Sequence, residues 1–395
     1  MRRRIRFESW RTTDHFEAGA HEGTVVGDGA LALASPSTTR EYDDPHRDGP
    51  PMTYEQATWT SPEVSTGFPF TELVASWNAC TPEGTWIEVA LRVNPTQDPT
   101  TPWYVMARWA ETDHDIAPTS VPGQSNDRAQ VNVDRLTLAE EGAGSTYQLR
   151  VSLLRRSGST ATPAVSLLGC VASDVHAGEL PASPERNGAA GTVLDVPTYS
   201  QRLHVGEYPQ WAGGGESWCS PTSTSMVLSH WGCGPSASDY TWVDPGLPDR
   251  FVPYAARHTY DHAYGAPGNW SFNAAYAARF GATAFVTRLR SLAEAEHFIN
   301  AGIPLVVGVA FTREQLEGAG YATAGHLAVV AGFDENGDVV CNDPASHEVA
   351  SNDEVRATFD REQFERAWMR SAGGITYVIR PPGVPLPQAP AEANW

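Results

Sequence analysis

The stretch Ser217-Trp-Cys-Ser-Pro-Thr-Ser-Thr-Ser-Met-Val-Leu228 carries the strongest local signal in this chain of 395 residues. It places Cys219 just ahead of a short helix, predicted over residues 221–231, which Gly232 ends. The first N–H groups of a helix have no intrahelical partner, and together with the helix dipole they stabilise a thiolate. We therefore predict an activated thiol at Cys219.

A nucleophilic thiol needs a general base, and the base needs an orienting group. Both residue types follow downstream: His326 begins one predicted strand, Asp343 ends the next, and residues 334–337 form the hairpin turn between them. With this four-residue loop, Asp343 lies opposite Ala328 and diagonal to His326 on the same face, within hydrogen-bonding reach. A two-residue turn at 336–337 would keep the face but move the two side chains one step further apart.

The chain between about residues 193 and 382 mixes helices and strands. Ser291 and Glu294 form a capping-box pattern at the start of one predicted helix. A helix with a cysteine at its start, followed by a strand-rich half with a histidine, is the division found in papain-like folds. The further predicted helices cover 271–280, 291–301 and 360–370, and the predicted strands cover 305–311, 326–333, 339–343 and 375–379.

Residues 1 to about 176 predict β structure. Most segments alternate apolar and polar residues and are separated by clusters of Gly, Pro, Asp and Ser. Six or more strands without a clear helical stretch between them indicate an antiparallel β-sandwich. The predicted strands are 24–26, 30–34, 72–77, 85–93, 103–109, 129–136 and 147–154.

Two polar stretches divide the chain. Residues 177–192 are small, polar and Pro-bearing, which is typical of a linker, and the Pro-rich residues 383–395 are expected to form an extended or disordered tail. The predicted fold class is α+β: a β-sandwich domain over 1–176, the linker, a mixed domain over 193–382 and the tail.

The basic residues exclude several kinds of chemistry. All 27 of them are arginine, so the chain has no lysine for a P-loop, a Schiff base or a Ser-Lys dyad. A net charge of −20 also disfavours binding to a nucleic-acid backbone, which requires a basic surface. We expect no nucleic-acid partner.

Location and cysteine state are less constrained. No apolar run reaches the ~18 residues of a membrane span, and the basic start is followed by Glu8-Ser-Trp-Arg11, which is not an apolar signal core. We expect no signal peptide and no transmembrane segment, with a cytoplasmic location by default and the envelope or secretion as the alternative.

The five cysteines leave at least one unpaired thiol within the chain; Cys80 and Cys170 are the pair that would bridge after export.

Six motifs, among them the stretch around Cys219 and Gly325-His-Leu-Ala-Val-Val-Ala-Gly332, resemble the papain-like cysteine peptidases related to the bacteriocin-processing, double-glycine peptidases. The resemblance covers residues 193–382 in the family's order. It implies that Cys219 is the nucleophile, His326 the general base and acid, and Asp343 the orienting acid. It also implies that the Gln201 side chain joins the Cys219 backbone N–H in an oxyanion hole. The motifs are 196–201, 217–228, 268–276, 301–307, 325–332 and 342–345.

The chain departs from the family pattern at two places. Ser220 stands where the family usually has glycine, and 17 residues lie between Gln201 and Cys219, more than the pattern leads us to expect. Gln210 is therefore the alternative oxyanion donor. The transporter and membrane parts that accompany bacteriocin processing are not found in the sequence, so cleavage after a double glycine is not implied.

The first half resembles the β-sandwich domain that precedes this peptidase domain in some high-GC bacterial proteins, through residues 72–79 and 81–88. A glycan- or wall-binding role would use exposed aromatic rings, whereas aromatic residues at alternating strand positions are more often sandwich core. We favour the core interpretation. The six candidates are Trp10, Trp59, Trp77, Trp86, Trp103 and Trp109.

These patterns predict a cysteine peptidase or amidohydrolase that cleaves a peptide bond through a Cys-His-Asp triad and a thioester, with a peptide or protein as its partner. The alternative is a glycan- or cell-wall-binding protein with an inactive papain-like domain, and peptidoglycan stem peptides or an isopeptide are alternative substrates. We expect no cofactor and no metal. His258 and His262 are spaced four apart, but they lack the glutamate of a zinc-peptidase helix.

Overall fold

The computed structural model describes residues 3–94, 102–139, 143–174 and 182–395. They form two compact units, which are considered separately below. The N-terminal unit comprises residues 6–176 with the short segment 260–265, and the C-terminal unit comprises residues 1–5, 177–259 and 266–395. Within the described ranges, the sheets are mostly antiparallel.

The N-terminal unit is built from β strands and one short helix, α1 (Thr13–Glu17). Alternation of buried and exposed positions is clearest in Val64–Phe70, where every second side chain is buried. The strands are β1 (Ile5–Trp10), β2 (Ala20–Glu22), β3 (Thr24–Gly27), β4 (Ala30–Leu33), β5 (Thr38–Tyr42), β6 (Met52–Thr60), β7 (Val64–Phe70), β8 (Glu72–Cys80), β9 (Thr85–Val93), β10 (Tyr104–Trp109), β11 (Ala129–Asn132), β12 (Arg135–Leu138), β13 (Gly144–Arg156) and β14 (Ala164–Ser173).

These strands form two sheets that face each other. The first has the order β11-β12-β8-β14-β4-β3, with β1 also paired to β14; the second has the order β10-β9-β13-β6-β2, with β5 beside β6 and β7 beside β13. Trp77 of the first sheet meets Trp109 of the second edge-on, with ring centroids 6.5 Å apart. Side chains from both sheets therefore share one core, which confirms the predicted sandwich-like arrangement.

Burial separates the tryptophans of this unit into two groups. Trp10, Trp59, Trp77, Trp86 and Trp109 are at most 6% exposed, so all five are buried, as the core interpretation expects. Trp103 is only partly buried.

One predicted strand is a hairpin instead. Residues 129–136 divide into β11 and β12, because Val133 has a φ of +57° and turns the chain between them. The predicted strands elsewhere in the unit are present within a few residues, but β1, β2, β5, β6, β7 and β14 were not predicted.

The C-terminal unit contains one sheet of six strands in the order β15-β20-β16-β17-β18-β19. The predicted buried strand is β16, and the predicted hairpin is β17 with β18; β15 and β19 were not predicted. The bounds are β15 (Thr283–Arg288), β16 (Leu305–Phe311), β17 (Thr323–Phe333), β18 (Val339–Asn342), β19 (Arg356–Phe359) and β20 (Ile375–Arg380).

Five α-helices accompany this sheet in the described part of the unit. None of the described helices is long and apolar enough to cross a membrane. The predicted capping box does not form: the Ser291 side chain caps no N–H, and the Glu294 carboxylate accepts the N–H of Arg290 instead. The helices are α2 (Cys219–His230), α3 (Phe251–His258), α4 (Trp270–Ala278), α5 (Leu292–Asn300) and α6 (Arg361–Ala372), of which α3 was not predicted.

Helix α2 is buried although its first half is rich in hydroxyl side chains. Two of those hydroxyls bond neighbouring elements: Ser220 shares a hydrogen bond of 3.0 Å with the Tyr377 hydroxyl, and Ser223 donates to the Leu327 carbonyl at 3.1 Å. Because a buried polar group needs a partner, these bonds fix the position of α2 against β17 and β20. They also account for a serine after Cys219.

The predicted linker and tail make specific contacts within this unit. Of the linker, residues 182–192 are described: the Ser183 N–H donates to Glu365 at 2.6 Å, and the Asn187 N–H donates to Glu296. The tail contains no helix or strand, but its last two residues are buried, and the Asn394 amide donates to the Arg288 carbonyl at 2.8 Å. The end of the tail is thus ordered by side-chain contacts.

Within the described ranges, no disulfide bond joins any of the five cysteines. Cys80 and Cys170 lie on the paired strands β8 and β14, but Cys80 is opposite Ala164 and Cys170 is opposite Ala75. The two thiols are therefore far out of register, and the bridge considered from sequence does not form.

Candidate active site

Cys219 is the first residue of α2, as predicted, and its side chain is partly exposed. Burial on its own would raise the pKa of the thiol. The charge of His326 and a hydrogen bond from it, together with the backbone N–H groups of Leu327 and Ser220, outweigh burial and lower the pKa of Cys219. The helix start and the histidine thus act in the same direction on this thiol.

His326 and Asp343 are in direct contact. The His326 Nε2 lies 2.7 Å from the Asp343 Oδ1, and the two residues are 5% and 2% exposed. Val329 pairs with Asn342, which is the register that the four-residue loop predicted at this end of the hairpin; a bulge between Val330 and Gly332 compensates for a longer loop. Since Nε2 is taken by Asp343, the Nδ1 is the ring nitrogen that faces the Cys219 thiol.

The pKa values of this pair move in opposite directions. Burial would lower the pKa of His326, but the negative charges of Asp343 and Cys219 and the hydrogen bonds to both raise it well above its usual value. Burial would raise the pKa of Asp343, but the His326 charge and hydrogen bond lower it. At neutral pH the site therefore favours an imidazolium between a carboxylate and a thiolate.

Tyr321 is a member of the site that the sequence did not reveal. Its hydroxyl donates to the Asp343 Oδ2 at 2.8 Å, and its ring packs edge-on against His326 and Phe311. Tyr321 lies in the loop that leads into β17, 22 residues before Asp343, where no local pattern points to the carboxylate. Both oxygens of Asp343 are therefore occupied, one by His326 and one by Tyr321.

The backbone around Asp343 holds the carboxylate in place. Its N–H donates to the Val355 carbonyl at 2.8 Å, and the Ala345 N–H donates to its Oδ1 at 2.9 Å. A buried carboxylate that accepts three hydrogen bonds has little freedom to rotate. The side chain that orients His326 is itself fixed.

Gln201 lies beside this region, whereas Gln210 is exposed. The Gln201 N–H donates to the Pro344 carbonyl at 2.9 Å, next to Asp343, and its side chain is 3% exposed. Its Nε2 donates to the Gly215 and Glu216 carbonyls at 2.7 and 3.2 Å, and its Oε1 has no hydrogen-bond partner among the described residues. Because Gln201 is buried beside the Cys219 segment and Gln210 is exposed, the arrangement favours Gln201 as the candidate oxyanion donor.

The long segment between Gln201 and Cys219 folds back on itself. Gly213 and Gly214 have φ near +77°, and the Gly215 N–H donates to the His204 carbonyl at 2.8 Å. A Cβ at Gly215 would collide with the Gln201 carbonyl oxygen and lie 2.8 Å from the backbone of His204. The glycine run is thus what brings the end of the insertion back to Gln201.

His204 is a second buried histidine near this segment. It is fully buried, neither ring nitrogen has a hydrogen-bond partner in the part of the chain that the structure describes, and burial lowers its pKa to about 4. Its ring lies 5.9 Å from that of Trp218, the residue before Cys219. At neutral pH it is uncharged, so the imidazolium of His326 has no cationic competitor from His204.

His258 and His262, the spaced pair considered from sequence, do not lie on one helix. Helix α3 ends at His258, and the His262 Nδ1 bonds the Pro118 carbonyl at 3.0 Å. Within the described ranges, no group of three or more His, Cys, Asp or Glu side chains is arranged to hold a metal ion.

Two family models match this chain. Residues 193–375 match the model described as the Peptidase_C39 like family, and residues 6–173 match the Peptidase C39 N-terminal domain. The resemblance identified from the motifs around Cys219 and from the first half is thereby confirmed. No curated protein matches the chain.

Two solved structures with some likeness each match 42% of the chain. A low-affinity xylan-binding module from Roseburia intestinalis is 13% identical, with 42% of this chain and 93% of that chain covered and a TM-score of 0.20. The catalytic domain of an endo-1,3-beta-glucanase from Thermotoga petrophila is 8% identical, with coverages of 42% and 90% and a TM-score of 0.20. Likeness at this level carries no conclusion about this chain.

The contact between Gly215 and Gln201 can be tested with Gly215→Ala. The added methyl must displace backbone, and such overpacking costs about 1–3 kcal/mol, so we expect a lower melting temperature and slower alkylation of Cys219. Gly383→Ala, where a Cβ meets nothing within 4 Å, is the control. If Gly215→Ala melts and reacts like Gly383→Ala, the close approach is not required.

The charge relation within the site can be tested with Asp343→Asn. The carboxylate raises the pKa of His326, so removing its charge lowers that pKa, weakens the imidazolium and raises the pKa of Cys219. We expect the midpoint of iodoacetamide alkylation at Cys219 to move to higher pH by about one unit or more, where one unit corresponds to about 1.4 kcal/mol.

The exposed Asp353 provides the matched control for that measurement. Asp353→Asn removes the same charge away from the site and should leave the midpoint where it is in the unaltered chain. An Asp343→Asn profile that coincides with the Asp353→Asn profile would contradict the assignment of the pKa shift to Asp343.

Proposed function

We propose that this protein, which belongs to the Peptidase C39-like family, is a cysteine peptidase or amidohydrolase that cleaves a peptide bond through Cys219. The observation that carries the proposal is the Cys219 thiol at the head of α2, within hydrogen-bonding reach of a histidine whose Nε2 is 2.7 Å from a buried carboxylate. The nucleophile is thus next to the base, and the base is next to its orienting group, which is the arrangement that acyl transfer requires.

In the first half of the proposed reaction, the thiolate of Cys219 attacks the carbonyl carbon of the substrate. The carbon–nitrogen bond breaks as the imidazolium of His326 gives its proton to the leaving amine. This produces a free amine, a thioester on Cys219 and a neutral His326. The raised pKa of His326 supports this step, because it keeps the proton available at neutral pH.

In the second half, neutral His326 takes a proton from water, and the resulting hydroxide attacks the thioester. The carbon–sulfur bond breaks, the acid product leaves, and the thiolate–imidazolium pair is restored. Asp343 and Tyr321 are positioning residues in this scheme: Asp343 fixes the tautomer of His326, and the Tyr321 hydroxyl fixes the second oxygen of Asp343.

The negative oxygen that forms in each half needs hydrogen-bond donors. We assign this role to the backbone N–H of Cys219, at the start of α2, and to the side-chain amide of Gln201. The position of Gln201 next to Pro344 and Gly215 supports the assignment. To donate to the substrate oxygen, Gln201 Nε2 must give up one of its two present hydrogen bonds. The bond to the Glu216 carbonyl, at 3.2 Å, is the longer of the two.

We further propose that the C-terminal unit has a papain-like fold. Helix α2 carries the nucleophile at its N-terminus and packs on the antiparallel strands β17 and β20, and β17 supplies the histidine. The hairpin partner β18 leads directly to Asp343. A peptide or protein is the proposed substrate.

The proposal is tested by Cys219→Ala against a fluorogenic peptide library. We expect the unaltered chain to hydrolyse peptides in an iodoacetamide-sensitive reaction. In the variant the rate should fall by about a thousandfold or more, because the nucleophilic thiol is missing. Cys233→Ala removes a partly exposed thiol elsewhere and is the control. Hydrolysis that survives in Cys219→Ala would disprove the assignment, and a complete lack of hydrolysis in every form would favour the inactive-domain alternative.

A further inference from the structure

The second sheet of the N-terminal unit carries a polar groove on the face opposite its core. Along β13, Val151 and Leu153 are fully buried, whereas Arg150 and Ser152 alternate with them and therefore point to the other side. The groove spans β10, β9, β13, β6 and β5, and its volume is about 510 Å³. This is within the usual range of small-ligand sites, roughly 300–1,000 Å³.

One end of the groove is held rigid by a buried carboxylate. Glu88 is 7% exposed and accepts two hydrogen bonds from Arg40 at 3.0 Å each and one from Arg108 at 2.9 Å. The two guanidiniums also lie over aromatic rings: Arg40 is 5.5 Å from Trp86, and Arg108 is 5.0 Å from Tyr42. Two positive charges are thus fixed around one negative charge.

The Glu88 carboxylate stays ionised at neutral pH. Burial would raise its pKa, but the hydrogen bonds and charges of Arg40 and Arg108 lower it. This end of the groove is therefore an ordered, charged cluster and not a flexible surface.

The other end presents an aromatic ring beside two guanidiniums. Trp103 is partly buried, and the Arg92 and Arg150 guanidiniums lie 4.6 and 4.4 Å from its ring centroid. Arg92 also donates to the Gln148 side chain at 3.0 and 2.6 Å. The Arg150 guanidinium donates no hydrogen bond to any residue in the part of the chain that the structure describes, which leaves its planar set of donors for a ligand.

Hydroxyl and amide groups line the groove between the two ends. Gln56 donates to Thr58 at 3.3 Å and to Ser152 at 3.4 Å, and the hydroxyls of Thr58 and Ser152 are 3.4 Å apart. These contacts are long, so the groups retain capacity for stronger bonds to a ligand. Neutral donors and acceptors on a rigid strand surface suit the hydroxyls of a sugar.

The charge of the groove is opposite to that of the chain. Its four arginines face only two acids, Glu22 and Glu88, which gives a local net charge of +2 in a protein of −20. A ligand with few negative charges is attracted at close range, whereas a long polyanion is repelled by the rest of the surface. The groove therefore favours a small ligand with sparse carboxylates.

We propose that this groove binds an acidic oligosaccharide. A sugar ring lies against Trp103, a carboxylate pairs with the guanidinium of Arg150, and sugar hydroxyls bond Thr58, Ser152 and Gln56. Bidentate pairing of a guanidinium with a carboxylate supplies direction as well as strength. Trp103 is the one tryptophan of the six sequence candidates that is only partly buried.

Calorimetric titration of the full chain with trigalacturonate tests this proposal, and its methyl ester is the matched neutral ligand. We expect saturable binding of the acid and binding of the ester at least about tenfold weaker, because a charge-assisted hydrogen-bonded pair is lost. Arg150→Gln and Trp103→Ala should each weaken binding of the acid by about tenfold or more.

Arg156→Gln is the matched control variant, because Arg156 lies on the same strand and pairs with Asp115 at 2.9 Å outside the groove. It should bind trigalacturonate like the unaltered chain, and so should Cys219→Ala, which separates this proposal from the proposed peptidase activity. The melting temperature of each variant verifies that it is folded.

Four results would overturn the proposal: no binding of trigalacturonate, equal binding of its methyl ester, unchanged affinity in both groove variants, or tighter binding of a triglutamate peptide than of the sugar. The last result would assign the groove to acidic peptides.

Discussion

The hydrogen bond between His326 and the buried Asp343 carboxylate is the interaction on which the C-terminal unit's site depends. A carboxylate that is 2% exposed is costly unless its charge is paired and its oxygens are bonded. Here His326, Tyr321 and the Ala345 N–H supply those bonds. Because the carboxylate keeps its charge, the imidazolium is stabilised, and because the imidazolium is stabilised, the Cys219 thiolate is too.

Much of this site follows from local sequence patterns. The cysteine at a helix start, the hairpin and the register that brings Asp343 towards His326 were all predictable, because turn residues and strand alternation act over a few residues. The register survives a bulge at Val330 to Gly332, which absorbs the extra loop residue. The hairpin pattern could not reveal Tyr321, which donates a hydrogen bond to the second carboxylate oxygen of Asp343.

The remaining features depend on contacts between residues distant in sequence. Tyr321 reaches Asp343 from a loop, and the lack of room for a side chain at Gly215 is apparent only when the Gln201 carbonyl is seen against it. At Ser291 the sequence carries a capping-box pattern that does not form. The Glu294 carboxylate instead accepts the backbone N–H of Arg290 and pairs with the Arg290 guanidinium. Long-range partners override local propensity at each of these positions.

In the N-terminal unit, the position of each aromatic ring along its strand determines whether the ring is buried or lies in the groove. Five tryptophans fall on the inward side or in the aromatic cluster around Trp86, and Trp103 falls in the arginine-rich groove. In a chain without lysine, every strong cation is a guanidinium, which holds carboxylates through planar paired bonds. The fixed charges of the groove and the thiolate of Cys219 therefore rely on different cations, arginine in one unit and His326 in the other.

The ultraviolet absorbance of the thiolate, recorded against pH for the unaltered chain and for Cys219→Ala, tests the central claim most directly. The difference between the two spectra reports the ionisation of Cys219 alone, without a substrate or a label. The His326–Asp343 pair predicts a midpoint clearly below the ordinary cysteine pKa of about 8.5. A midpoint at or above about 8.5 would contradict the account, because Cys219 would then be an ordinary thiol at neutral pH.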